Sequence, residues 1–96
     1  MDKEEAREIL VKELNIFQAK SYAELAALIG LEQVMERTGQ SGTGYQLEVL
    51  VLWDDLRKPE GGIRVLASID DGKFRSIFKP LTLDFIKGPD GNFIGE

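Results

Sequence analysis

Apolar and polar residues alternate along residues 45–79, and this alternation sets the expected architecture. Tyr45, Leu47, Val49, Val51 and Trp53 share one side of an extended segment, because successive side chains of a strand point to opposite faces. Residues 62–70 and 73–79 repeat the pattern, so the sequence predicts three antiparallel strands over 45–54, 62–70 and 73–79. Asp71-Gly72 suits a type I′ turn, whose two central residues both take positive φ. It would set Ile69 against Phe74, Ala67 against Ser76 and Val65 against Phe78. Placing Trp53 opposite Ile63 then puts Val51 by Val65, Val49 by Ala67 and Leu47 by Ile69. A slip of one residue would scatter these apolar rows to opposite faces, so the register constrains itself.

The second face of this sheet is unusual. Its rows would be Gln46–Asp70–Lys73, Glu48–Ser68–Arg75, Leu50–Leu66–Ile77 and Leu52–Arg64–Lys79. A solvated face of an antiparallel sheet is polar, yet Leu50, Leu52, Leu66 and Ile77 form a contiguous apolar strip bordered by Arg64, Arg75 and Lys79. The strip calls for a cover, which is either the C-terminal tail or another protein.

Two helices are expected ahead of the strands. Asp2 and Glu5 stand at capping-box spacing, and Ala6, Ile9, Leu10, Leu14 and Phe17 follow at helical period. That is a helix of about four turns, ending near Ala19, with its stripe facing a core. Ser21 and Glu24 form a second S-x-x-E start, Leu25, Leu28 and Ile29 supply a buried side, and Gly30 stops the helix. Both helices should pack near the row of small residues through Ala67.

The remaining segments carry weaker patterns. Residues 32–38 fit either a helical turn or an edge strand beside residues 45–52, and the strand is the expected form. Gly39, Gly42 and Gly44 mark a hairpin loop; no phosphate-loop lysine or following helix accompanies them. Residues 80–96 are expected as a helical turn around 82–86, the turn Pro89-Asp90-Gly91-Asn92, and a tail ending in Phe93-Ile94.

Composition narrows the function classes. At 96 residues, with 43% hydrophobic and 30% charged side chains, the chain is long enough for one domain with a modest core. Cysteine is absent, which excludes disulfides, thiolate nucleophiles and Cys-based zinc sites and suits the cytoplasm. Histidine is absent too, so no Ser-His-Asp triad or imidazole ligand can form. The N-terminus is charged and does not read as a secretory signal, and the longest apolar run, 49–53, is too short to span a bilayer. A net charge of −5 and pI near 4.7 oppose nucleic-acid binding.

Catalysis would have to rest on carboxylates. Asp54, Asp55, Asp70, Asp71, Asp84 and Asp90 are the candidates for acid–base work or for holding a hard cation. Turn chemistry accounts for Asp71 and Asp90, each of which precedes a glycine, and for Asp54 and Asp55, which follow a strand. Trp53, Asp54 and Asp55 form the alternative ligand site. Arg64, Arg75 and Lys79 could face an anion, but charge pairing across the sheet, with Asp70 opposite Lys73 and Glu48 diagonal to Arg75, explains the residue types.

The strings LEVLVLWDD, GGIRVLASIDDG, PLTLDFI and GPDGNFIGE resemble small bacterial single-domain proteins over roughly the C-terminal half of the chain. The resemblance implies no activity, cofactor or site residue.

The expected architecture is α+β. Two helices (1–30) pack on one face of a three- or four-stranded antiparallel meander (31–79), followed by a C-terminal cover segment (80–96). The expected function is a non-catalytic protein-interaction domain acting through Leu50, Leu52, Leu66 and Ile77 with Arg64 and Arg75. Its partner is another protein or a second copy, with no cofactor, metal, nucleic acid or membrane. The alternative is a small carboxylate-dependent enzyme or ligand-binding protein with a site near Trp53, Asp54 and Asp55.

Overall fold

The computed structural model describes residues 2–72 and 81–94. Helix α1 (Lys3–Gln18) and the short helix α2 (Tyr22–Ala27) precede five strands, β1 (Glu32–Thr38), β2 (Gly44–Trp53), β3 (Ile63–Asp70), β4 (Leu81–Lys87) and β5 (Phe93–Ile94). The strands lie side by side in chain order and every neighbouring pair is antiparallel, so the sheet is a meander. The α+β class and the helices on one sheet face are as expected. The sheet is longer by β4 and β5, and residues 32–38 are an edge strand.

Both helices begin where their caps place them. The Asp2 carboxylate accepts the N–H groups of Glu4 and Glu5 at 3.1 Å, satisfying donors that have no partner within the helix. The reciprocal half of that capping box is not made, because the Glu5 carboxylate is engaged elsewhere. At α2 the box is complete: the Ser21 hydroxyl accepts the Glu24 N–H at 3.1 Å, and Glu24 accepts the Ser21 N–H at 3.0 Å. Gly30, at φ +84°, ends this turn, and its N–H donates to the Val51 carbonyl.

The register between β2 and β3 is the expected one, from Trp53 opposite Ile63 to Gln46 opposite Asp70. On the inner face Leu47, Val49, Val51, Ile63, Val65, Ala67 and Ile69 are fully buried. They meet Ala6, Leu10, Leu14 and Phe17 of α1 and Leu25 of α2 in one core. The α1 stripe is therefore core-facing, as amphipathic helices of small domains generally are.

The third strand differs. The far edge of β3 is held by β4, which sets Ile69 opposite Leu81, Ala67 opposite Leu83, Val65 opposite Phe85 and Ile63 opposite Lys87. Both edges of β3 are thus taken by β2 and β4, and Phe74, Ser76 and Phe78, expected opposite Ile69, Ala67 and Val65, lie outside the described residues. The turn explains the difference. Gly72 has φ +75°, but Asp71 does not share a positive φ, so a type I′ hairpin does not form there. Instead the Asp70 carboxylate accepts the Gly72 N–H at 2.7 Å. The expected strand 73–79, with Arg75, Ile77 and Lys79, lies outside the described residues. The expected helical turn at 82–86 is part of β4: Leu81, Leu83 and Phe85 alternate with Thr82 and Asp84, a strand period.

Lys87 ends β4 in an inward position and is buried. Its ammonium donates to the carbonyls of Gln18 at 3.2 Å and Lys20 at 2.6 Å. α1 has no basic residue in its own last turn. The strand thus supplies the cation that the carbonyl end of the helix favours.

Candidate functional site

Leu50, Leu52 and Leu66 point away from the helices, opposite to Val51 and Val65. The alternation of buried and less buried residues along β2 and β3 shows this directly. β4 adds Ile86, opposite Arg64, and β1 adds Val34, opposite Glu48. Among the described residues neither helix lies on this outer face; α1 and α2 both pack into the core on the other side. Leu50 keeps 38% of its surface exposed and Val34 54%. The C-terminal segment extends the sheet edge as β4 and β5 instead of folding across the strip. Ile77, expected within the strip, lies outside the described residues.

Charged groups frame the apolar centre. One row reads Glu32–Leu50–Leu66–Asp84 across four strands, so two leucines are bracketed by two carboxylates. In the adjacent row Arg64 stands between Leu52 and Ile86. Its guanidinium donates to Asp54 at 2.8 and 3.1 Å and also pairs with Asp84. Those contacts, Asp54 first, raise the Arg64 pKa further above its ordinary value. Arg64 is thus shared between two aspartates, which does not suit it to recruit an anion. Arg75 and Lys79, expected beside it, lie outside the described residues.

Trp53, Asp54 and Asp55 do not converge. Trp53 packs against the core on the inner side, while Asp54 reaches Arg64 on the outer side. Asp55 closes its own loop, accepting the Arg57 N–H at 2.9 Å. Asp90 does the same in the last turn, where the Asn92 N–H holds its carboxylate below the usual range. Among the described residues no group of three or more carboxylates is gathered to hold a metal ion.

The glycine-rich loop does receive an anion, and that anion is the protein's own Glu5. Its carboxylate accepts the Ser41 hydroxyl at 2.7 Å, the Tyr45 hydroxyl at 2.7 Å and the Ser41 N–H at 3.0 Å. A Cβ at Gly39 would collide with the Glu5 carboxylate where it now rests, so a larger residue there would push that carboxylate out of its present contacts. The Ser41 and Tyr45 hydroxyls lower the Glu5 pKa. Burial, followed by the bond to Glu5, pushes the Tyr45 phenol up to about 12. Sequence spacing could not reveal this contact, because Glu5 lies 36 residues from Ser41 and 40 from Tyr45.

Among the described residues no helix is long and apolar enough to cross a membrane. No protein-family model, curated protein or solved structure matches the chain.

Proposed function

We propose that this chain is a non-catalytic protein-interaction domain that docks through the outer face of its sheet. The observation that supports the reading is the apolar group Leu50, Leu52, Leu66 and Ile86, on a face that neither helix covers among the described residues. Contiguous apolar surface of this kind marks interaction sites on proteins. Leu50 is exposed and Leu52, Leu66 and Ile86 are part-buried. A partner would gain from covering their remaining apolar surface, at about 25 cal/mol per Å², and the entropy of binding is subtracted from that gain. The cysteine-free composition suits work in the cytoplasm.

The reading is tested by separating docking from folding. Leu50→Arg and Leu66→Arg are expected to unfold cooperatively, with denaturation midpoints near that of the wild type. Leu47→Ala, in the core, is expected to cost about 2–5 kcal/mol. If the outer-face variants lose as much as Leu47→Ala, those leucines belong to a second core and the docking reading fails.

A further inference from the structure

We propose that the occupant of the outer face is an amphipathic protein helix whose apolar stripe is flanked on both sides by Lys or Arg. This rests on the reading of that face as a docking surface and goes beyond it by naming the partner's chemistry. The row Glu32–Leu50–Leu66–Asp84 places a carboxylate on each side of the two central leucines. Three strand spacings separate its ends, about 14 Å, which matches the 10–12 Å diameter of a helix lying along the strands. Basic side chains on the two edges of such a helix would meet Glu32 on one side and, on the other, the Asp54–Arg64–Asp84 group with its net charge of −1, while its apolar stripe covers Leu50 and Leu66.

Charge also argues against a second copy in this place. An aligned two-fold stack centred on the leucine pair, with its axis along or across the strands, sets Glu32 of one copy against either Glu32 or Asp84 of the other. Arg64 does not relieve that opposition, since Asp54 and Asp84 already share it and the three together remain net negative. Like charges brought together at an interface oppose association and select against that partner. Along the strands the apolar side chains fill the Leu50–Leu66 row and the Leu52 and Ile86 positions of the next, about 7 Å apart, which corresponds to roughly one and a third turns of a helix. The row toward Val34 carries Glu48 and Ser68 at its centre.

The experiment is a titration of the isotope-labelled full chain with two synthetic leucine-striped peptides of about fourteen residues. One is flanked by lysine and the other by glutamate. The expected result is that the lysine peptide alone shifts the methyl signals of Leu50, Leu52, Leu66 and Ile86. Its affinity is expected to fall several-fold on raising salt and again in Glu32→Lys. Equal binding of both peptides overturns the proposal, and so does binding of the lysine peptide beside Asp2, Glu4 and Glu8 on α1. Sedimentation provides the second arm. A wild-type dimer that Leu50→Arg abolishes overturns this occupant but leaves the docking face standing. A monomer whose outer face neither peptide touches overturns the occupant, whereas core-like destabilisation by Leu50→Arg removes the docking reading itself.

Discussion

Glu5 is the residue that joins the two ends of the inner layer. It belongs to the first turn of α1, yet its carboxylate is held by the β1–β2 loop and by Tyr45 of β2. Its folded pKa lies below its ordinary value of 4.5. The stability it contributes is therefore fully present above that value and is lost as pH falls through the folded one. Glu5→Gln is expected to lower the urea midpoint at neutral pH and to flatten its dependence on pH in the acid range. Unchanged acid dependence in the variant would remove Glu5 from this role. Gly39→Ala crowds the same carboxylate without straining the backbone, so its effect and that of Glu5→Gln should be less than additive.

Tyr45 has the opposite sign. Its phenol is pushed up to about 12 from 10, so the stability it contributes is complete below 10 and is lost as pH rises toward 12. In a Tyr22→Phe background, phenolate absorbance should show Tyr45 titrating near 12. Adding Glu5→Gln should bring that midpoint down part of the way, because the carboxylate is removed while burial remains. A midpoint of 10 before Glu5 is changed would contradict the buried, hydrogen-bonded phenol.

Among the elements, β4 shows best what the chain's pattern reveals and what it hides. The β2–β3 register was legible because Trp53, Val51, Val49 and Leu47 can meet Ile63, Val65, Ala67 and Ile69 in only one alignment. The helices were legible from their caps and periods. β4 was obscured by two turn signals that compete with its alternation. Asp71-Gly72 has the residue types of a tight hairpin, yet Asp71 does not take the positive φ that turn requires. Pro80, which can open a helix, stands just ahead of Leu81. Parity alone carries the correct reading: Leu81, Leu83, Phe85 and Lys87 share one side.

Reading that parity also finds Lys87, whose role has no local signal because its acceptors are the carbonyls of Gln18 and Lys20. Replacing it with Met keeps most of the apolar stem but leaves those carbonyls without their cationic donor. The expected cost in chemical denaturation is about 1–3 kcal/mol. Ser21→Ala, which removes an exposed cap, should cost about 1 kcal/mol. A loss at Lys87 no larger than at Ser21 would mean that the ammonium adds nothing beyond an ordinary cap.

For the whole molecule, the order of the strands determines how much of the C-terminus the fold requires. β4 contributes Phe85 to the core and packs Leu81 and Leu83 against it. β5 has two residues, both about half exposed, and among the described residues it pairs with the end of β4 alone. What β5 adds is local: Phe93 meets Phe85 edge-on with ring centres 5.7 Å apart and lies 5.6 Å from the Lys87 ammonium. Contacts of those two kinds are worth about 0.5–2 kcal/mol each. Truncation after Lys87 is therefore expected to preserve a single cooperative transition at a lower midpoint. Truncation before Leu81 should abolish that transition, because one edge of β3 and part of the core are lost together. Comparing the two truncations by circular dichroism during urea unfolding tests the meander as the cooperative unit. If the shorter deletion also abolished the transition, the last strand would have to belong to the core. The outer face, whose strip reaches Ile86 beside β5, would then depend on the tail for its shape.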